Sequence, residues 1–287
     1  MEKEVVNPNG ASAQPVVLPA KKRPANWWLV VVAALFIIVP FLTWYGTWFG
    51  RELSDEKIAE YVADEKNPRH VQHALAQIEQ RIEKNDASVK KFYPQVIAAS
   101  KSATGEVRKT AAWVMGQDNT SEDFHRALLE LLKDQEPLVR RNAALQLVRF
   151  GDASGRPELR AMLQSFEVKS STAGTLLSIL PVAAKLRAGA MLARIRDASG
   201  NVQEFRAPVD GAITNPIVIK EGDTLAKDQT IAWLLPDHTS ILEALRALAY
   251  IGKKDDLPII DSCTQVDGSA EAAQQASVTA KAIRSRN

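Results

Sequence analysis

The sequence predicts a mainly α chain: an α-solenoid of stacked helix pairs, interrupted by a small inserted β-sandwich and preceded by one N-terminal transmembrane helix. Three observations carry this. Residues 27–49 hold no charged side chain, two helical segments repeat each other 32 residues apart, and residues 204–235, EFRAPVDGAITNPIVIKEGDTLAKDQTIAWLL, form a β-rich stretch with turn glycines.

The 287 residues, 46% hydrophobic and 24% charged, leave room for two or so domains and a sizeable core. The net charge of +2 comes from acidic and basic residues interspersed along most of the chain, so no basic stripe exists to attract a phosphate backbone. Nucleic acid is not an expected partner. One cysteine, Cys263, excludes an internal disulfide framework and a multi-cysteine metal site, and four histidines are too few for a rich metal centre.

Residues 1–26 are expected to be a Pro-punctuated, disordered cytoplasmic tail with little to bury. The run 27–49, WWLVVVAALFIIVPFLTWYGTWF, would span about 35 Å as a continuous helix, enough to cross a bilayer core. Trp27 and Trp28 at one end and Trp44, Tyr45 and Trp48 at the other resemble interfacial aromatic belts, with Pro40 as a kink. The bulky aromatics at its end favour a retained anchor over a cleaved signal peptide. Lys21, Lys22 and Arg23 precede the span and a mixed set follows it (Arg51, Glu52, Asp55, Glu56, Lys57), which puts the N-terminus in the cytoplasm. The expectation is a single-pass membrane protein with the bulk of the chain extracytoplasmic, periplasmic in a Gram-negative bacterium.

Residues 51–166 read as amphipathic helices separated by short breaks. EVRKTAAWVMG from Glu106 aligns without gaps on LVRRNAALQLV from Leu138, placing Arg108, Ala111 and Ala112 over Arg140, Ala143 and Ala144. Small alanines at the same turn let successive helices approach closely, and the valines and leucines beside them fill the groove between. Outer helices are expected from Ser121 and Gly155, and an earlier inner helix from Arg69. The "VRxxAA" core and the two-helix rhythm resemble HEAT repeats of the shorter, roughly 30-residue variety. In such repeats an Asp six residues before the Arg often pairs with it along the stack; Asp134 matches for Arg140, whereas Ser102 stands before Arg108. The inner partner of the helix from Gly155 is displaced: ILEALRALAYIG from Ile241 aligns on RRNAALQLVRFG from Arg140, with Gly252 over Gly151, so residues 238–287 continue the repeats.

Residues 167–237 form the insert, which is internally duplicated. AAKLRAGAMLARI from Ala183 overlays GDTLAKDQTIAWL from Gly222, and the segment around Gly174 overlays that around Gly211. The pattern "AP.DG.I....V.EGD.L....I..L" is similar to the biotinyl-lipoyl, or barrel-sandwich hybrid, domain. That resemblance implies a modified lysine at the hairpin tip between the halves, but the tip here reads Asp197-Ala198-Ser199-Gly200-Asn201, and Lys185, Lys220 and Lys227 lie within the repeated units. No cofactor is expected. Efflux adaptors of this build insert a long α-hairpin at the same point, where this chain has a short turn.

Elsewhere chemistry is sparse. His70 and His73, three apart, could begin a metal site, but no nearby His or Cys completes a ligand set. Cys263 sits on an apolar run, Glu122 and Asp123 suit a helix N-terminus, and no phosphate loop, GxSxG elbow or HExxH occurs. Trp113 interrupts an aliphatic inner helix, either as core filling or as a binding anchor on the concave face. The expected function is therefore a membrane-anchored extracytoplasmic scaffold, not an enzyme, that binds membrane or envelope proteins through Trp113, Arg108, Arg140 and Arg141. It would serve as an accessory or assembly subunit, with no small-molecule substrate, no metal and the membrane engaged through residues 27–49. The alternatives are a periplasmic adaptor of an export or efflux system and a HEAT-like lyase-type enzyme.

Overall fold

Helix α1, Trp27–Trp44, is apolar on every side because its 18 residues include no charged side chain. Its large side chains, Phe36 and Ile37 among them, are exposed. Eighteen residues rise about 27 Å, short of the roughly 30 Å of a bilayer's hydrocarbon. Among the described residues no helix is long and apolar enough to cross a membrane. This overturns the transmembrane helix expected over 27–49, and with it the single-pass localisation with a cytoplasmic N-terminus and an extracytoplasmic bulk.

The computed structural model describes residues 27–44, 52–214, 219–263 and 269–286. The expected tail 1–26 and the end of the predicted span, 45–49, lie outside them. The chain divides into two units, Met1–Glu52, which holds α1, and Leu53–Asn287.

In the second unit, α2 (Asp55–Val62) and α3 (Pro68–Glu83) lead through a 3₁₀ turn, Ala87–Phe92, into α4 (Tyr93–Ala99). Then come α5 (Gly105–Met115), α6 (Glu122–Leu131), α7 (Pro137–Arg149) and α8 (Arg156–Ala161). The boundaries follow local chemistry. Ser121 accepts from the Phe124 amide to start α6, and Pro137 and Pro157 occupy first turns, where a missing N–H costs nothing. Helix α7 stops at Gly151, whose φ of +70° lets the amides of Gly151 and Asp152 turn back to the carbonyls of Val148 and Leu147. Gly252, aligned on Gly151 in sequence, is needed for a different reason: a Cβ there would lie 2.5 Å from the Leu248 carbonyl oxygen.

The chain then forms eight strands: β1 (Phe166–Lys169), β2 (Gly174–Ile179), β3 (Lys185–Leu186), β4 (Met191–Asp197), β5 (Val202–Arg206), β6 (Gly211–Thr214), β7 (Thr224–Leu225) and β8 (Thr230–Pro236). It returns to helix in α9 (His238–Ile251), α10 (Leu257–Ser262) and α11 (Ala270–Arg286). The strands make two antiparallel sheets of order β1-β8-β6-β3 and β5-β4-β2-β7. The duplication read from the sequence is visible in the pairing: β2 pairs with β4 of its own half and β7 of the other, while β6 pairs with β8 and β3. Backbone bonds obey the same exchange, since Ala183 N donates to Ile213 O and Gly222 N to Leu176 O, each at 2.8 Å. Ala183 and Gly222, like Gly189 and Asp228, are equivalent positions, and all four have positive φ. Between the sheets lies a core including Leu176, Leu192, Ile195, Ile213, Ile231 and Leu234.

In the helical part α3, α5, α7, α9 and α11 pack in succession, with α4, α6 and α8 behind them. Ala111, Ala112, Ala143 and Ala144 are fully buried, as close approach requires. A Cβ on Gly155 would meet Ala144 Cα at 2.6 Å, so α8 rests directly on the backbone of α7. The expected fold class is corrected here as well. The described residues show stacked helices of unequal length beside two antiparallel sheets; they do not establish the regular superhelical run that a solenoid needs.

Candidate functional site

Salt bridges lock successive repeats together. Arg108 lies in the first turn of α5, where its Nη1 donates to the carbonyls of Ser102 and Ala103, six and five residues back. Arg140, 32 residues on, does the same to Asp134 and Gln135. The Asp134 carboxylate receives Nε and Nη2 of Arg108, at 2.6 and 2.8 Å, so it ties to the preceding repeat's arginine. Arg140 takes Glu158 on α8 at 3.1 Å instead. Burial pushes the Asp134 carboxyl up, but the Arg108 guanidinium and the Glu136 amide outweigh it and leave it below the ordinary range.

Arg141 is 4% exposed, with its Nε 3.9 Å from Glu158 and its guanidinium 5.9 Å from the Phe166 ring of β1. Its Nε and Nη1 make no hydrogen bond, and burial pushes its pKa down against the pull of Glu158. It belongs to the seam between α7, α8 and the first strand. Of the four residues nominated from the sequence, three arginines are thus engaged inside the fold, and only Trp113 faces outward, 44% exposed.

Trp113 lines a groove of about 590 Å³ with Leu145, Gln146, Val148 and Arg149 of α7 and Glu243, Arg246, Ala247 and Tyr250 of α9. The groove is built by the repeat itself. The two sequence alignments put Trp113, Leu145 and Arg246 at one position of successive inner helices, and Arg149 and Tyr250 at another. Tyr250 is 76% exposed. Trp113 is oriented by a hydrogen bond from its indole Nε1 to Glu79 of α3. Gly116 makes room for the Gln146 side chain, which occupies the place of its missing Cβ. Arg246 is held by Glu271 at 3.6 Å, whereas Arg149, exposed in the last turn of α7, makes no ion pair among the described residues. Burial raises the pKa of the Glu243 carboxyl, and Asp237 adds to the effect. Sequence reasoning missed Tyr250, Arg149 and Arg246, although the register that defines the repeats already placed them beside Trp113.

Other places offer less chemistry. A cavity of about 430 Å³ between β8 and α9, lined by Trp233, Leu235, Ile241 and Cys263, is apolar, and burial pushes the Cys263 thiol up, away from the reactive thiolate. His70 bonds Asp64 at 2.8 Å and stacks on Tyr61, His125 bonds Asp152 at 2.6 Å, and His238 bonds Glu271 at 3.0 Å. Among the described residues no three His, Cys, Asp or Glu side chains come together as a metal site would need. The β4–β5 tip is shaped by Asp197 Oδ1, which accepts from the amides of Ser199 and Asn201, both at 2.9 Å.

The family model of HEAT repeats matches residues 93–176, from the start of α4 into β2. The match falls on the stretch α4–α8 of a helical region that is followed by a β-sheet domain. No curated protein matches the chain significantly. One solved structure, "Structure and function of a single-chain, multi-domain long-chain acyl-coa carboxylase", is similar over 44% of this chain and 15% of that chain, at 14% identity and a TM-score of 0.24. A likeness this low carries no argument.

Proposed function

We propose that this chain is a non-enzymatic scaffold that docks a partner protein in the groove of α5, α7 and α9, as an accessory or assembly subunit of a larger complex. One observation carries the reading: two large aromatic side chains, Trp113 and Tyr250, stand exposed on either side of a groove with an apolar floor. Exposed aromatics around an apolar depression are the composition of binding hot spots, because they bury much area with few rotors to freeze. The Arg108–Asp134 ion pair supports it by fixing α5 against the start of α7, and the Arg140–Glu158 pair by fixing α7 against α8 behind it, so this side of the groove is formed before the partner arrives. We read the β module as lipoyl-like in build and without a carrier's chemistry, since its β4–β5 tip offers no lysine amine to acylate.

Site-specific photocrosslinking tests the proposal. A benzophenone amino acid at Val148 in the full chain, expressed in its own host, should give a discrete adduct that Trp113→Ala and Tyr250→Ala each weaken at least fivefold. The same probe at Glu122, on an outer helix, should not. Equal labelling from both positions, or none from Val148, would refute groove docking.

A further inference from the structure

We infer that the groove receives an α-helical segment of the partner, and that this helix carries a carboxylate which pairs with Arg149. The inference rests on the docking reading above and adds the chemistry of what is docked. The helical character follows from the walls. The lining residues belong to α5, α7 and α9, helices that offer no unpaired strand edge, and the last-turn carbonyls of Trp113, Val148 and Arg149 are taken by Gln117, Gly151 and Asn119. An extended segment laid there would bury its own amides and carbonyls against side chains that cannot satisfy them. A helix brings its backbone bonds with it and offers only side chains to the floor of Leu145, Val148 and Ala247.

The carboxylate follows from the charges. Arg246 has Glu271, while Arg149, on the α7 wall, has no acidic partner among the described residues. Seating an apolar helix beside it would strip water from a guanidinium without replacing the lost hydrogen bonds, a cost that a carboxylate on the incoming helix removes through two parallel N–H···O contacts. The opposite wall already carries Glu243, with Asp237 nearby at the start of α9. A second acid facing α9 would be repelled, so the charge also fixes which way round the helix lies.

The experiment uses the benzophenone at Val148 of the full chain in its host and maps the crosslinked partner peptide by mass spectrometry. The expected site is a helical segment with an Asp or Glu within one turn of the crosslink. Arg149→Gln should lower adduct yield about tenfold and Arg149→Glu further, while Arg149→Lys keeps part of it. Changing the mapped acid to Arg should restore yield to Arg149→Glu. Circular dichroism of Arg149→Gln, which puts no anion at the end of α7, confirms that the fold is intact. An adduct that is indifferent to Arg149, or that maps to a segment without an acid or to an extended one, overturns this inference and leaves groove docking standing. Absence of an adduct from Val148 removes both.

Discussion

Asp134→Ala removes the carboxylate that binds one repeat to the next, and its cost can be worked from the contacts. The Asp134 side chain is 8% exposed and that of Arg108 14%, so the pair sits largely out of water. Removing one partner of a fully buried pair costs about 3–5 kcal/mol. Here Arg108 keeps the carbonyls of Ser102 and Ala103 and the longer contact to Glu136 at 3.3 Å, which lowers its share to about 2 kcal/mol. Asp134 also accepts from the Glu136 amide at 2.8 Å, just before α7, and losing that bond adds about 1 kcal/mol. Urea unfolding of the full chain, followed by far-UV circular dichroism, should show a loss of about 3 kcal/mol. In a double-mutant cycle with Arg108→Ala, about 2 kcal/mol should appear as coupling and the remaining 1 should persist in the Arg108→Ala background. A loss below about 0.5 kcal/mol, the worth of an exposed pair, would refute the claim that this bridge sets the register of the repeats.

Gly155→Ala should destabilise by about 2 kcal/mol or more in the same titration, because its Cβ would press on the Ala144 backbone at 2.6 Å and neither helix can yield without opening the stack. Ala183→Gly should stabilise by up to about 1 kcal/mol: it relieves the strain of an alanine at φ +69°, offset in part by the freer unfolded chain, and its equivalent, Gly222, already has the tolerant residue. Asp118, Asp134 and Asp152 each have a folded-state pKa below the ordinary one, because burial, which raises it, is outweighed by hydrogen bonds and nearby positive charge. Their contribution is complete above the unfolded value near pH 4 and lost as pH falls through the folded values. Stability measured by urea midpoint should therefore drop below about pH 4, and less steeply in Asp134→Asn.

The helices were legible because their signal is periodic: the 32-residue offset that overlays Ala111 and Ala112 on Ala143 and Ala144 is the offset at which they bury. The duplication of the β module was legible for the same reason, whereas the exchange of β3 and β7 between sheets, a matter of long-range pairing, was not. What periodicity does not report is the backbone conformation at a single residue, so the positive φ of Ala183 had no herald in its own residue type. Charge was the least informative signal. Arg108, Arg140 and Arg141 read as candidate partner-binding residues, yet two form ion pairs between neighbouring helical segments and one is buried at the seam, and nothing in a lone sequence says whether an arginine's partner lies in its own chain. The absence of charge misled in turn, since among the described residues no helix is long and apolar enough to cross a membrane.

Strand β8 ends at Pro236 and α9 begins at His238, so a single residue, Asp237, joins the sheet to a wall of the groove. Asp237 is itself fastened, accepting from the amides of Thr239 and Ser240 at 2.9 and 3.2 Å. A hinge needs slack, and this joint has none. Sheet and helix therefore meet at a set angle, and the wall of the groove that bears Tyr250 starts directly from the end of a strand.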